Sequence, residues 1–400
     1  MNRIHKILQF IDSHGLYPDL RIIEGGAEPE VMIDGKKVLM FSSNNYLGLA
    51  THPKVVAAAI EATKKYGVGS GGSRMLSGNL RIHRDYELAI AKFKGGEDAI
   101  VWTTGYQTNL GVITSVMDPI KIGPPHFFER KGVIFSDELN HASIIDGARM
   151  SRQKIVTYKH CDMNDLEIKL KKYKSRRKLV VTDGVFSMEG DIAPLNKIVP
   201  LCKNYKAILM VDEAHATGVI GNQGHGTLEH FGLKPIKDVD IIMGTHSKAL
   251  AASGGFVVGS KDLVRYLRIA SRSYIFSAAM PPAISASLVA ALQVIETEPW
   301  LREKLHENTE YLKRSLNQLG FNTLRSQTQI IPVLIGTDEK AIQFSKDLLK
   351  RGIYAPCIRW PAVPKMEARL RLTVMSTHSK EQIDYLLNNC SEVGKNLKII

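Results

Sequence analysis

Two short segments carry residue types that chemistry needs together. In Met210-Val211-Asp212-Glu213-Ala214-His215 an apolar run ends directly in an acid, with a histidine three residues on. In Gly244-Thr245-His246-Ser247-Lys248-Ala249-Leu250 another apolar run leads into a lysine. A carboxylate at the end of a buried strand can hold a heteroaromatic ring nitrogen protonated through a charge-assisted hydrogen bond. A lysine kept from water loses proton affinity, and its neutral amine can then add to a carbonyl. Thr245 and Ser247 add hydroxyls suited to a phosphate. Each residue also has a plain structural reading. Asp212 could cap a helix, and Lys248 could sit on the surface as most lysines do. The pairing of Lys248 with Asp212-x-x-His215 favours the chemical reading.

Four further segments could serve the same site. Thr103-Thr104-Gly105-Tyr106-Gln107-Thr108-Asn109 follows an apolar run, and the free N–H groups of a helix starting there could hold a phosphate. Asp137-Glu138-Leu139-Asn140-His141-Ala142-Ser143 also follows an apolar run; His141 could stack on a flat cofactor or be structural. Val181 to Asp191 ends in an acid-rich turn that contains Ser187. Arg359 could grip a carboxylate with two parallel hydrogen bonds or form a surface ion pair. The glycine-rich stretch Gly67 to Arg74 is not a dinucleotide fingerprint, because it follows a helical pattern rather than a strand. A ring nitrogen to protonate, an amine for a Schiff base and a phosphate to cradle are the needs of pyridoxal phosphate (PLP).

These residues need a scaffold that brings strand ends together. Apolar runs at 99–104, 132–137, 154–159, 178–185, 207–214, 239–245 and 254–260 alternate with helical stretches. That alternation predicts an α/β fold with a large doubly wound, mostly parallel sheet, whose ligands bind beyond the C-terminal strand ends. Residues 1–45 read as a helix and a hairpin turning at Asp34-Gly35. Residues 46–285 form the large domain, and 286–400 a smaller α+β domain. The Pro- and Phe-rich segment 118–132 reads as an irregular excursion.

Composition sets outer limits. The chain has 400 residues, 44% hydrophobic and 23% charged, enough apolar mass for one large and one small domain. Cys161, Cys202, Cys357 and Cys390 have neither paired nor metal-ligand spacing, so no metal site is expected and a reduced cytoplasmic setting is. The first twenty residues lack the apolar core of a signal peptide, and no apolar run is long enough for a membrane span. A net charge of +13 suits a basic solvated surface or attraction to an acidic substrate such as a CoA phosphate or an acyl carrier protein. The basic runs are short and lack interleaved aromatics, which argues against nucleic acid.

Taken in order, SSNNYLGLA, YGVGSGGSRMLSGN, DELNHASIIDGAR, VTDGVFSMEGDIAPL, VDEAHATGVIGNQGHGT, GTHSKAL and YIFSAAMPP resemble the α-oxoamine synthase family of fold-type I PLP enzymes, along nearly the whole chain. DELNHASIIDG, HCDMNDLE, VTDGVFSMEGDIAPL and GIYAPCIR are most similar to its biotin-pathway branch. The resemblance implies that Lys248 forms the Schiff base and moves the Cα proton, Asp212 pairs with the ring nitrogen, His215 with the ring hydroxyl, and His141 stacks on the ring. It implies a phosphate site of Gly105, Tyr106 and Thr245, completed by Ser277 of a second subunit, with Ser187 beside the cofactor. It assigns the amino-acid carboxylate to Arg359 and the remaining substrate contacts to Arg21 and Asn44. The implied protein is a homodimer that condenses a small amino acid, L-alanine first, with an acyl thioester, a pimeloyl group first, and releases CO2. Glycine or serine with another acyl donor, and a catalytically silent homologue acting as a subunit, are the alternatives. Arg359-Trp360-Pro361-Ala362, His246, Ala278 and segment 118–132 depart from the family pattern.

Overall fold

The computed structural model describes residues 1–13, 17, 20–120, 123–124, 131–173 and 176–400. Its strands are β1 (Ile23–Glu24), β2 (Glu30–Ile33), β3 (Lys36–Met40), β4 (Asp98–Trp102), β5 (Gly132–Asp137), β6 (Lys154–Tyr158), β7 (Arg177–Asp183), β8 (Ile208–Asp212), β9 (Ile241–Thr245), β10 (Gly255–Gly259), β11 (Ile330–Gly336), β12 (Ile353–Tyr354), β13 (Cys357–Ile358) and β14 (Ala368–Thr373). Most of segment 118–132, the expected excursion, lies outside the described residues.

The seven apolar runs become one sheet in the order β4-β10-β9-β8-β7-β5-β6. Strands β6, β5, β7, β8 and β9 pair in parallel, whereas β10 runs antiparallel to both β9 and β4. Every residue of β4, β5, β9 and β10 is buried, as a sheet covered by helices on both faces requires. Two hydrophobic clusters cover it. One holds Ile100, Trp102, Ile113 and Met210; the other holds Val101, Phe135, Val180 and Phe256 and extends into the C-terminal region.

The C-terminal region builds a smaller sheet, β11-β14-β13. A third sheet joins the ends of the chain, because β3 of the N-terminal hairpin pairs in parallel with β12. The single apolar run 353–360 is thus divided between two sheets. Pro356 stands at the division and has no N–H to continue a ladder. Helices form at Pro53–Tyr66, Pro282–Thr297, Trp300–Gln318, Asp338–Lys350 and Lys380–Asn396. Pro282–Thr297 packs on Pro53–Tyr66 and on Arg81–Lys94.

Candidate active site

The C-terminal ends of β5, β7, β8 and β9, together with the turn after β4, surround one cavity of about 340 Å³. Its lining includes Gly105, Tyr106, His141, Ser187, Asp212, His215, Thr245 and Lys248, eight residues expected from the sequence at the cofactor. Each ends a strand or follows one by a few residues, so the sheet itself gathers them at one edge.

Asp212 ends β8 and is buried. Its Oδ2 accepts from Asn109 Nδ2 at 2.9 Å and its Oδ1 from the Ala214 amide at 2.9 Å. Burial raises its pKa while Asn109 and Ala214 pull it back, so the carboxylate is oriented by donors yet remains basic. His215 is buried, and its Nδ1 shares a 2.7 Å hydrogen bond with the Tyr46 hydroxyl. Burial, then Lys248, Arg371 and His141, hold its pKa well below the usual value, so its ring is neutral. Burial and then Arg371 lower the Lys248 amine to about 8, against a smaller opposing pull from Asp212. An amine at that value is partly neutral near physiological pH, as a nucleophile must be.

The opposite requirement, for positive potential, is met at helix Gly105–Met117. Thr104 caps it by accepting from the Gln107 amide at 3.1 Å. The amides of Gly105 and Tyr106 therefore open the helix beside the Thr245 and Ser247 hydroxyls, which lie 3.0 Å apart. Glycine is needed at 105, since a Cβ there would stand 2.8 Å from Thr245 Oγ1. This cradle, the oriented carboxylate and the low-pKa lysine in one cavity fit the phosphate, ring nitrogen and carbonyl carbon of PLP.

His141 lies at the cavity, its Nδ1 2.7 Å from Ser143 Oγ and its amide donating to Asp183 Oδ2 at 3.1 Å. Ser187 sits on the turn after β7, and its carbonyl accepts from Arg371 Nε at 2.6 Å. Four expected residues do not line this cavity. Ser277 lines a separate small one with Arg74 and Tyr274. Arg21 pairs with Asp34 at 2.7 Å on the surface. Asn44 stands one layer out, accepting from Tyr46 OH at 2.9 Å and Arg371 Nη2 at 3.3 Å. Arg359 follows β13 and is partly exposed.

Sequence reasoning missed Tyr46, Asn109, Asp183, Gln329 and Arg371. Gln329 Nε2 donates to the His215 carbonyl at 2.9 Å. Arg371 is mostly buried on β14 and acts on both Lys248 and His215. Tyr46, Gln329 and Arg371 reach the site from segments remote in sequence. Asp183 carried a usable signal, since it ends an apolar strand as Asp212 does.

Residues 36–389 match the aminotransferase class I and II family, and the chain belongs to it. Within that family it is a PLP-dependent acyltransferase of the α-oxoamine synthase group. It is 47% identical over 400 residues to the 8-amino-7-oxononanoate synthase of Lysinibacillus sphaericus, with 100% of each chain covered. The protein of that name from Thermoanaerobacter pseudethanolicus is 44% identical over 408 residues, again with 100% of both covered. Among solved structures, serine palmitoyltransferase from S. paucimobilis with bound PLP–myriocin matches with a TM-score of 0.91 at 34% identity, covering 98% of this chain and 96% of that one. The 8-amino-7-oxononanoate synthase from Francisella tularensis matches with a TM-score of 0.76 at 26% identity, covering 91% and 99%. The expected fold class, enzyme class and cofactor are thereby borne out.

Proposed function

We propose that the protein condenses L-alanine with a pimeloyl thioester, carried by CoA or a carrier protein, and releases CO2 to give 8-amino-7-oxononanoate. The observation that carries this reading is the 47% identity over the full length to an enzyme so named. PLP, when bound, supplies an electron sink that acidifies the Cα–H of the amino acid. The chain's residues do the rest. Lys248 anchors the cofactor and then takes and returns the Cα proton, a task suited to an amine of pKa about 8. Asp212 keeps the ring nitrogen protonated. Neutral His215, oriented by Tyr46, would serve the ring hydroxyl, and His141 would stack on the ring with Ser187 beside it. Gly105, Tyr106 and Thr245 hold the phosphate.

The amino-acid carboxylate goes to Arg359, with Arg371 as a second guanidinium close to Lys248. Arg21 and Asn44 serve the substrates at the mouth of the site. The protein acts as a cytoplasmic homodimer in which Ser277 of one subunit completes the phosphate site of the other. Support for that pairing comes from Val68, Leu76 and Phe276, at 82%, 86% and 72% exposure, beside the backbone bridge between Ser73 and Ala278. No helix among the described residues is long and apolar enough to cross a membrane. The same reading divides the chain into 1–45, a cofactor-binding unit 46–285 and a small unit 286–400.

A second reading, condensation of serine or glycine with another acyl donor, draws on the likeness to serine palmitoyltransferase. Purified protein assayed with alanine, glycine and serine against pimeloyl- and palmitoyl-CoA separates the two. The first reading expects a product with the mass of 8-amino-7-oxononanoate from alanine and pimeloyl-CoA. Turnover with serine and the long chain alone would replace it with the second.

A further inference from the structure

Asp183 and Asp212 occupy the same register on neighbouring parallel strands, β7 and β8. Both are buried, and both line the Lys248 cavity. Residues so placed point to one face about 5 Å apart. Two carboxylates on residues paired in this way, away from water, cannot both stay ionised without a large penalty. Their partners decide which one carries the charge. Asp212 receives an N–H on each oxygen, from Asn109 and Ala214. Asp183 receives the His141 amide on Oδ2 at 3.1 Å. The charged neighbours acting most strongly on Asp183 are Asp212, Asp137 and Glu189, from β8, β5 and the turn after β7, and all three are acidic. Burial first, and Asp212 second, raise its pKa well above the carboxylate range.

We propose that Asp183 is a neutral, protonated acid in the working enzyme and a positioning residue for the cofactor ring, leaving Asp212 as the one anion on the cavity floor. The inference rests on the assignment of Asp212 to the ring nitrogen. A single anion matches a single ring cation. A second anion beside it would cost desolvation, and the charged groups acting most strongly on Asp183 are themselves acidic. The Asp183 O–H also gives the floor a hydrogen-bond donor that an ionised acid would lack. A buried acid kept neutral to donate a hydrogen bond has precedent in enzymes of other folds.

Infrared spectroscopy of the purified holoenzyme tests this. A carbonyl band of a protonated carboxylic acid, shifted by deuterium exchange, is expected in the wild type at neutral pH and is expected to vanish in Asp183→Asn. An amide copies the shape and donor of a neutral acid, so Asp183→Asn should keep PLP affinity within about threefold. Asp183→Leu, with no donor, should lose more PLP affinity than Asp183→Asn. Absence of the band in the wild type, its persistence in Asp183→Asn, or equal losses in the two variants would overturn the proposal. Asp212→Asn tests the underlying assignment separately, with an expected loss of about 100-fold or more in kcat/KM. The infrared band reports the Asp183 proton whichever way that control falls.

Discussion

His215 and His160 both follow strands of the large sheet at its C-terminal edge, yet their proton affinities move in opposite directions. Around His215 burial acts first, and Lys248, Arg371 and His141 then add to it in driving the proton off. His160 sits between two acids, with Nδ1 2.9 Å from Asp137 Oδ1 and Nε2 2.8 Å from Asp191 Oδ2. Burial works against its charge too, but Asp137 and then Asp191 outweigh it and push the imidazole up to about 12. Partners, rather than depth, therefore separate a ring that must stay neutral for chemistry from one that serves as a fixed cation. The His160 clamp tethers the turn from Gly184 to Ala193, which carries Ser187. Arg369 holds the same turn from the other side through Glu189 at 3.0 Å. Gly190 lets the turn close, with a φ of 71° and no room for a Cβ, which would meet the Ile330 carbonyl at 2.1 Å.

Changes on the His215 side should hit catalysis, and changes on the His160 side should hit stability. The largest effect is expected from Lys248→Ala, with turnover lowered by about 1,000-fold or more. After borohydride reduction and denaturation, no PLP should remain attached to that variant. Tyr46→Phe should cost about tenfold in kcat by freeing the His215 ring. A melting temperature close to wild type would confirm that the loss is catalytic.

His160→Asn should instead destabilise the fold by about 2 kcal/mol near pH 6, with a smaller effect on kcat. Its pH dependence has a definite sign. The folded pKa lies above the unfolded one, so the stabilisation is complete below about pH 6.5 and declines as pH rises towards about 12. Denaturant unfolding should thus show the gap between wild type and His160→Asn shrinking as pH increases. The smallest effect concerns rate alone. In cofactor-free protein, amine-directed modification of Lys248 should accelerate as pH rises through about 8, below the range of an ordinary lysine.

Much of the site was legible because parallel sheets put their ligands at strand ends. Lys248, Asp212, His215 and His141 each follow an apolar run, and so they meet. The antiparallel course of β10 was not legible, since a fully buried run reads the same in either direction. Nor was the union of the N-terminal hairpin with β12, a pairing across some three hundred residues. The layer that tunes the chemistry was hidden for the same reason. Tyr46, Gln329 and Arg371 carry no local pattern, and their roles exist only once distant segments pack together. Asp183 was visible as a strand-ending acid, but its meaning depends on a register that sequence alone does not specify.

The central claim is that Lys248 is set to move a proton at the amino-acid Cα. Proton NMR of L-alanine in D2O with holoenzyme, and no acyl donor, tests it most directly. Wild-type protein should exchange the Cα–H for deuterium, and Lys248→Ala should not. Exchange by Lys248→Ala at the wild-type rate would contradict the account.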